Sequence, residues 1–122
     1  MLFDLKSFDQ FALSFAGVTL HNQWDARVVK VGGKVFMILG FKGLWAEQLI
    51  FKTTDMSFSM MMEQNGIICA PYFNKGHWVA VSKVAGLKDE ELKLYLQQSY
   101  KLICAKLTKK LRGELGIDLN PS

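Results

Sequence analysis

The sequence predicts an α+β fold: a two-layer domain with an antiparallel sheet of about five strands and helices on one face, in the order α-β(3)-α-β(2)-α. Three observations carry this expectation. Gly32-Gly33 stands between two β-rich runs, the signal of a two-residue hairpin turn. A second pair of β-rich runs, 67–73 and 77–84, flanks the turn signal Asn74-Lys75-Gly76. Apolar residues recur at helical spacing near both ends of the chain, through Phe8 and through Leu96.

The first helix follows from Leu5, Phe8, Ala12 and Phe15. Its start lies at a Ser7-x-x-Gln10 capping box or earlier, near Asp4, and Gly17 is placed as its left-handed stop. Residues 20–25 read as a short strand or as a loop carrying His21 and Trp24. The glycine turn opposes Val31 to Lys34, Val29 to Phe36 and Val28 to Met37. One face of the hairpin then carries Val29, Val31, Phe36 and Ile38, and the other Val28, Lys30, Val35, Met37 and Leu39. A third strand spans 48–53. Thr54 or Asp55 caps a short methionine-rich helix, 56–64, whose methionines are expected to fill core gaps. Pro71 bars a helix from crossing the 67–73 run. A long helix begins near Lys88, with Asp89, Glu90 and Glu91 in its first turn and lysines in its last turns, as the helix dipole favours. Leu92, Leu96, Ser99, Ile103 and Leu107 form its buried stripe, and residues 113–122 read as a C-terminal tail.

Residues 70–81 concentrate polar and aromatic groups: Tyr72, Phe73, Asn74, Lys75, His77 and Trp78. Physically, Trp78 is first a packing residue and Lys75 a solvated turn charge. The run Pro71-Tyr72-Phe73-Asn74-Lys75-Gly76-His77-Trp78 resembles the Pro…Asn-Lys-x-His-Trp signature of the MmcQ/YjbR family of small bacterial proteins. Gly17-Val18, the Lys30-Val31-Gly32-Gly33-Lys34-Val35-Phe36 hairpin and the Ser99-Tyr100-Lys101-Leu102-Ile103-Cys104-Ala105-Lys106-Leu107 helix resemble further family motifs in the same order. The resemblance implies one domain over residues 1–122, a two-layer α+β fold, and the DNA-binding role proposed for the family's double-wing arrangement. The chain departs from the pattern at Gly76, where a basic residue is common, and at Val79-Ala80, where polar residues are frequent.

The length suits one domain, and with half of its 122 residues hydrophobic the chain is expected to bury a core without staples. No apolar run is long enough to span a bilayer, and Asp4, Lys6 and Asp9 interrupt what a signal peptide needs, so the expected compartment is the cytoplasm. Cys69 and Cys104 lack any paired spacing and are expected to be buried reduced thiols. The net charge of +4 is modest, but its distribution is uneven. Arg27 to Lys52 holds five basic residues and one acid; Lys101 to Arg112 holds five and none.

No metal-ligand spacing, phosphate-cradling glycine loop or nucleophile elbow is present, so the expectation is a non-enzymatic monomer without metal or cofactor. His77, alone or with a cysteine, is weighed as a strand residue rather than as a base. Two function classes stay open. One is weak, mostly non-specific binding of duplex DNA through Lys34, Lys75, Lys109 and Lys110 at turns and a helix end. The other is a protein-interaction module that holds a protein partner on an open sheet face around Trp78, where Lys30 and Lys52 share its parity and Asn74 and His77 flank it.

Overall fold

The computed structural model describes residues 1–71, 73 and 76–119. The expectations placed on Asn74 and Lys75 therefore lie outside the described residues. The chain is α+β, built on six antiparallel strands in the order β1-β2-β3-β4-β6-β5. The strands are β1 (Val18–Gln23), β2 (Ala26–Val31), β3 (Lys34–Gly40), β4 (Gln48–Lys52), β5 (Ile67–Cys69) and β6 (Trp78–Ser82). The helices are α1 (Leu5–Ala12), α2 (Asp55–Met61), α3 (Asp89–Cys104) and α4 (Lys109–Leu115). The sixth strand is β1, which forms where the sequence left strand and loop open: all six of its residues pair with β2, from Val18 opposite Val31 to Gln23 opposite Ala26.

Local chemistry sets the helix boundaries. The Asp4 carboxylate accepts from the Ser7 backbone N–H at 3.2 Å and starts α1, so the earlier of the two expected starts is the real one. Gly17 is not the stop of α1. The helix ends at Ala12, and Gly17, at φ +75°, turns the chain into β1 with the Leu115 side chain against it. Thr54 caps α2 by accepting from Ser57 N–H at 3.2 Å. Of the α2 methionines only Met61 is fully buried; Met56 and Met60 are exposed, so the expectation of core filling holds for Met61 alone in this helix.

The C-terminal region departs most from expectation. α3 stops at Cys104, and Thr108 accepts from Leu111 N–H at 3.1 Å to start a separate helix. Lys109 and Lys110 thus stand in the first turn of α4, not at the end of α3. The Arg112 guanidinium donates to Leu107 O at 2.9 Å and to Cys104 O at 3.3 Å, tying α4 back to the corner that follows α3. The expected tail begins inside α4, which Gly116 terminates at φ +72°, and Ile117 and Leu119 still pack on the core.

The glycine hairpin forms as the sequence indicates, with Val31 opposite Lys34 and both glycines at positive φ. Its register then slips. Lys30 faces Val35 but Val29 faces Met37, so Phe36 is the extra residue of a β-bulge. The expected pairing of Val29 with Phe36 is corrected accordingly. The bulge turns Phe36 toward α3, where its ring meets Phe15 at 5.5 Å and Tyr100 at 5.3 Å. Beyond the Met37–Phe51 pair the ladder between β3 and β4 ends. The fully buried Ser99 of α3 fills the gap: its hydroxyl donates to Phe36 O at 2.6 Å and accepts from Lys52 N–H at 3.0 Å.

The helix-facing side of the sheet is a packed core around Val29, Met37, Phe51 and Val79, with Tyr95 of α3 stacked on Phe51. The opposite side is also covered. Val28, Ile38, Ile50 and Ala80 are fully or almost fully buried, although no helix lies on them. Trp45 lies across β3 so closely that a Cβ at Gly40 would stand 1.9 Å from its carbonyl oxygen. Phe73 stacks between Trp45, at 5.8 Å, and Trp78, at 4.5 Å. Cys104 is buried and Cys69 is exposed on the edge strand; both are free thiols, so the expectation of a buried Cys69 is corrected.

Two expectations follow for stability. Ser99→Ala strips a partner from the Lys52 amide and the Phe36 carbonyl together, and should cost about 1–3 kcal/mol in urea denaturation while speeding hydrogen exchange at Lys52. Gly33→Ala should cost about 1–2 kcal/mol for a Cβ in left-handed backbone. Gly32→Ala should cost more, because that Cβ would also meet Leu107 at 2.8 Å. Equal losses at the two glycines would show that Leu107 does not brace the turn.

Candidate functional site

The β2–β3 turn and the corner between α3 and α4 build one end of the molecule together. Gly32 lies against the side chains of Leu107 and Leu111, which fixes the corner onto the hairpin tip. This contact brings exposed Lys34, at the start of β3, into the same region as exposed Lys106, Lys109 and Lys110. The sheet register adds two more. Lys30 and Lys52 fall on the same face near the hairpin end of β2 and β4, and Lys52 pairs across the strands with Trp78. The expected common parity of Lys30, Lys52 and Trp78 therefore holds.

Lys52 lies at the centre of this basic pole. A Cβ on Gly76 would stand 3.5 Å from its Nζ and 3.7 Å from Trp78 Cδ1, so the Lys52 amine lies beside Gly76. The Lys106 amine lies next to it. A hydrogen-bond contact with Lys106, then burial, then the Lys106 charge pull Lys52 down to about 8. Among the described residues, no carboxylate lies within salt-bridge distance of Lys34, Lys52, Lys106, Lys109 or Lys110. Arg112, by contrast, is committed to backbone carbonyls and Arg27 to Asp9, at 3.2 Å.

The remaining expected site residues divide differently. His77 is half-exposed; its Nδ1 lies 2.6 Å from Asp55 Oδ1 and its ring 4.8 Å from Phe58. Its backbone carbonyl accepts from both the N–H and the hydroxyl of Thr53. His77, Asp55, Thr53, Thr54 and Lys52 line a shallow open groove with Gly76. Trp78 is only 8% exposed, so the aromatic platform expected on an open face is corrected: Phe73 and Trp45 roof it. Sequence reasoning missed two participants, Lys106 as the neighbour of Lys52 and Asp55 as the partner of His77. Asp55 sits at the first position of α2, just after β4, and His77 just before the neighbouring strand β6, and no local spacing signals either pairing.

Among the described residues no group of three His, Cys, Asp or Glu side chains is placed to hold a metal ion, and no helix is long and apolar enough to cross a membrane. Burial raises the Cys104 thiol against smaller opposing effects of Tyr100 and Arg112, the reverse of what activates a nucleophile.

The lysine pair gives stability a pH dependence. Lys52 titrates at about 8 in the folded chain, below its ordinary 10.5. Between these values the unfolded state holds the proton more tightly, so stability from this group rises with pH. Below about pH 8 both states are protonated and the folded chain carries the full cost of a charged Lys52 partly buried beside Lys106. Lys106→Met should therefore be more stable than wild type at pH 7, with an advantage that shrinks toward pH 10. Denaturation of both proteins across that range measures the difference, in which the shared titrations of Cys104 and Tyr100 cancel.

Residues 13–102 match the YjbR family. No curated protein matches the chain. The fold is similar to that of the Deinococcus radiodurans protein DR2400, a crystal structure with a DUF419 domain. That likeness has a TM-score of 0.81 at 20% identity and covers 97% of this chain and 91% of that one. A Pseudomonas syringae protein is similar at a TM-score of 0.66 and 19% identity, over 81% of this chain and 97% of that one. At these identities the two structures speak for the fold alone. The family match runs from the end of α1 through most of α3, the whole sheet included, and on that ground the chain belongs to the YjbR family.

Proposed function

We propose that this protein binds duplex DNA at its basic pole, weakly and mostly without sequence preference. The observation that supports it best is the clustering of unpaired cations. The hairpin tip and the α3–α4 corner hold Lys34, Lys106, Lys109 and Lys110 together, beside a Lys52–Lys106 pair that has no carboxylate within salt-bridge distance among the described residues. An evolved surface normally disperses such charge, and an end rich in cations attracts a polyanion. The lysines protrude from a turn and from the first turn of a short helix, positions suited to phosphate contacts. Base readout has little to work with. The exposed start of α4 offers ammonium groups rather than amides, and Arg112 is occupied within the fold.

The second class, a protein partner on an open sheet face, loses its platform because Trp78, Phe73 and Trp45 are packed on one another. Fluorescence anisotropy of duplex DNA should give a dissociation constant on the order of micromolar in low salt. Contacts to about four phosphates should give a log–log salt slope of about −3 to −4. Lys34→Glu combined with Lys109→Glu and Lys110→Glu should weaken binding at least ~10-fold and flatten that slope. Absence of salt-sensitive binding, or equal binding by the triple variant, would refute the assignment.

A further inference from the structure

We propose that β1 is an interface strand: two copies of this chain pair antiparallel along it, about a two-fold axis at Leu20, and join their sheets into one. The inference uses an edge of the sheet, not the basic pole, and stands independently of the DNA reading.

The backbone comes first. β1 ends the strand order and pairs with β2 alone. The two-residue turn Trp24-Asp25, at φ 58° and 54°, closes the pair Gln23–Ala26. In such a hairpin the closing pair exchanges hydrogen bonds, and every second residue does so after it. Gln23, His21 and Thr19 therefore turn their backbone groups to β2, and Asn22, Leu20 and Val18 turn theirs outward. Among the described residues, nothing hydrogen-bonds to the outward N–H or C=O groups of those three.

Edges of this kind are normally blunted by shortness, charge, proline or a bulge. β5, at the other edge, spans three residues and is followed two positions on by Pro71. β1 spans six, holds no charged residue or proline, and keeps an unbroken register with β2.

A row of alternating donors and acceptors at strand spacing fits another extended chain. The side chains then select a second copy. With the axis at Leu20, that residue meets the partner's Leu20 on the helix side of the sheet, and Thr19 meets the partner's His21 on the other. Thr19 and His21 already join at 2.7 Å within the strand, so the same hydroxyl–imidazole pair can form across the axis. No like charges oppose one another along β1, and Arg27 on the neighbouring strand is answered by Asp9 at 3.2 Å. Three outward residues per copy give about six hydrogen bonds over a contact below ~1,200 Å², so the pair is weak and dilute protein stays monomeric.

The test is sedimentation velocity of the full chain from about 10 μM to about 1 mM, with amide hydrogen exchange read by NMR at both ends of that range. A dimer should appear as concentration rises. The Leu20 and Asn22 amides should exchange freely in dilute protein and become protected in concentrated protein, while those of Thr19 and His21 stay slow throughout. Asn22→Pro removes an outward donor and leaves the backbone hydrogen bonds to β2 intact. Thr19→Lys places a charge on the edge. Both positions are exposed, and each change should weaken association at least ~10-fold, whereas Thr19→Ser should pair like wild type. Should the proline disturb the hairpin, Thr19→Lys still decides. A chain that is monomeric at every concentration overturns the proposal and leaves the edge to a foreign strand. A dimer that Thr19→Lys does not weaken, or whose new protection falls on β5 instead of β1, overturns it equally.

Discussion

The buried hydroxyl of Ser99 is the contact on which the rest of the arrangement depends. A β-sheet whose central ladder breaks leaves an N–H and a C=O without partners in an apolar layer, a cost of a few kcal/mol if left unmet. Here Phe36 O and Lys52 N–H are those groups, and one side chain from α3 satisfies both. The same hydroxyl therefore does three things. It permits the bulge that sends Phe36 into the core, it fixes the rotation of α3 over β3 and β4, and it holds the end of β4 where Lys52 begins. A leucine in that stripe would pack as well but would leave both backbone groups orphaned.

The aromatic residues show how the fold is closed on the side without helices. Antiparallel sheets often leave one face to water. This one does not: Trp45 crosses β3 over Gly40, and Phe73 lies between Trp45 and Trp78 in a stacked run. The cover is made of loop residues separated widely in the chain. It makes Trp78 a packing group rather than a surface group.

That end is electrostatically unbalanced by construction. Apolar contacts of Gly32 with Leu107 and Leu111 hold the corner against the hairpin, and lysines ride on both sides of the contact. Hydrophobic packing thus crowds like charges; a hydrogen-bond contact with Lys106, then burial, then the Lys106 charge lower the titration of Lys52.

Short-range rules were enough for much of the architecture. The glycine turn, the β5–β6 pair, the two long helical patterns and the buried Ser99 stripe are written in local periodicity and in residues with few permitted backbone states. The family motifs were legible for the same reason, since they sit on those turns and stripes. What the sequence left open or misassigned depends on partners far along the chain. Phe36 bulges because the core across the sheet has room for its ring; β1 becomes a strand because β2 offers it an edge. A single long helix gives way to α3 and α4 because Thr108 caps a new start and Arg112 ties α4 back to the corner, a choice that hydrophobic spacing does not encode. The basic pole is the clearest case. Charge counts located the lysines, but only packing of the corner on the hairpin placed Lys106 beside Lys52, because proximity between distant residues is a property of the folded core and not of local sequence.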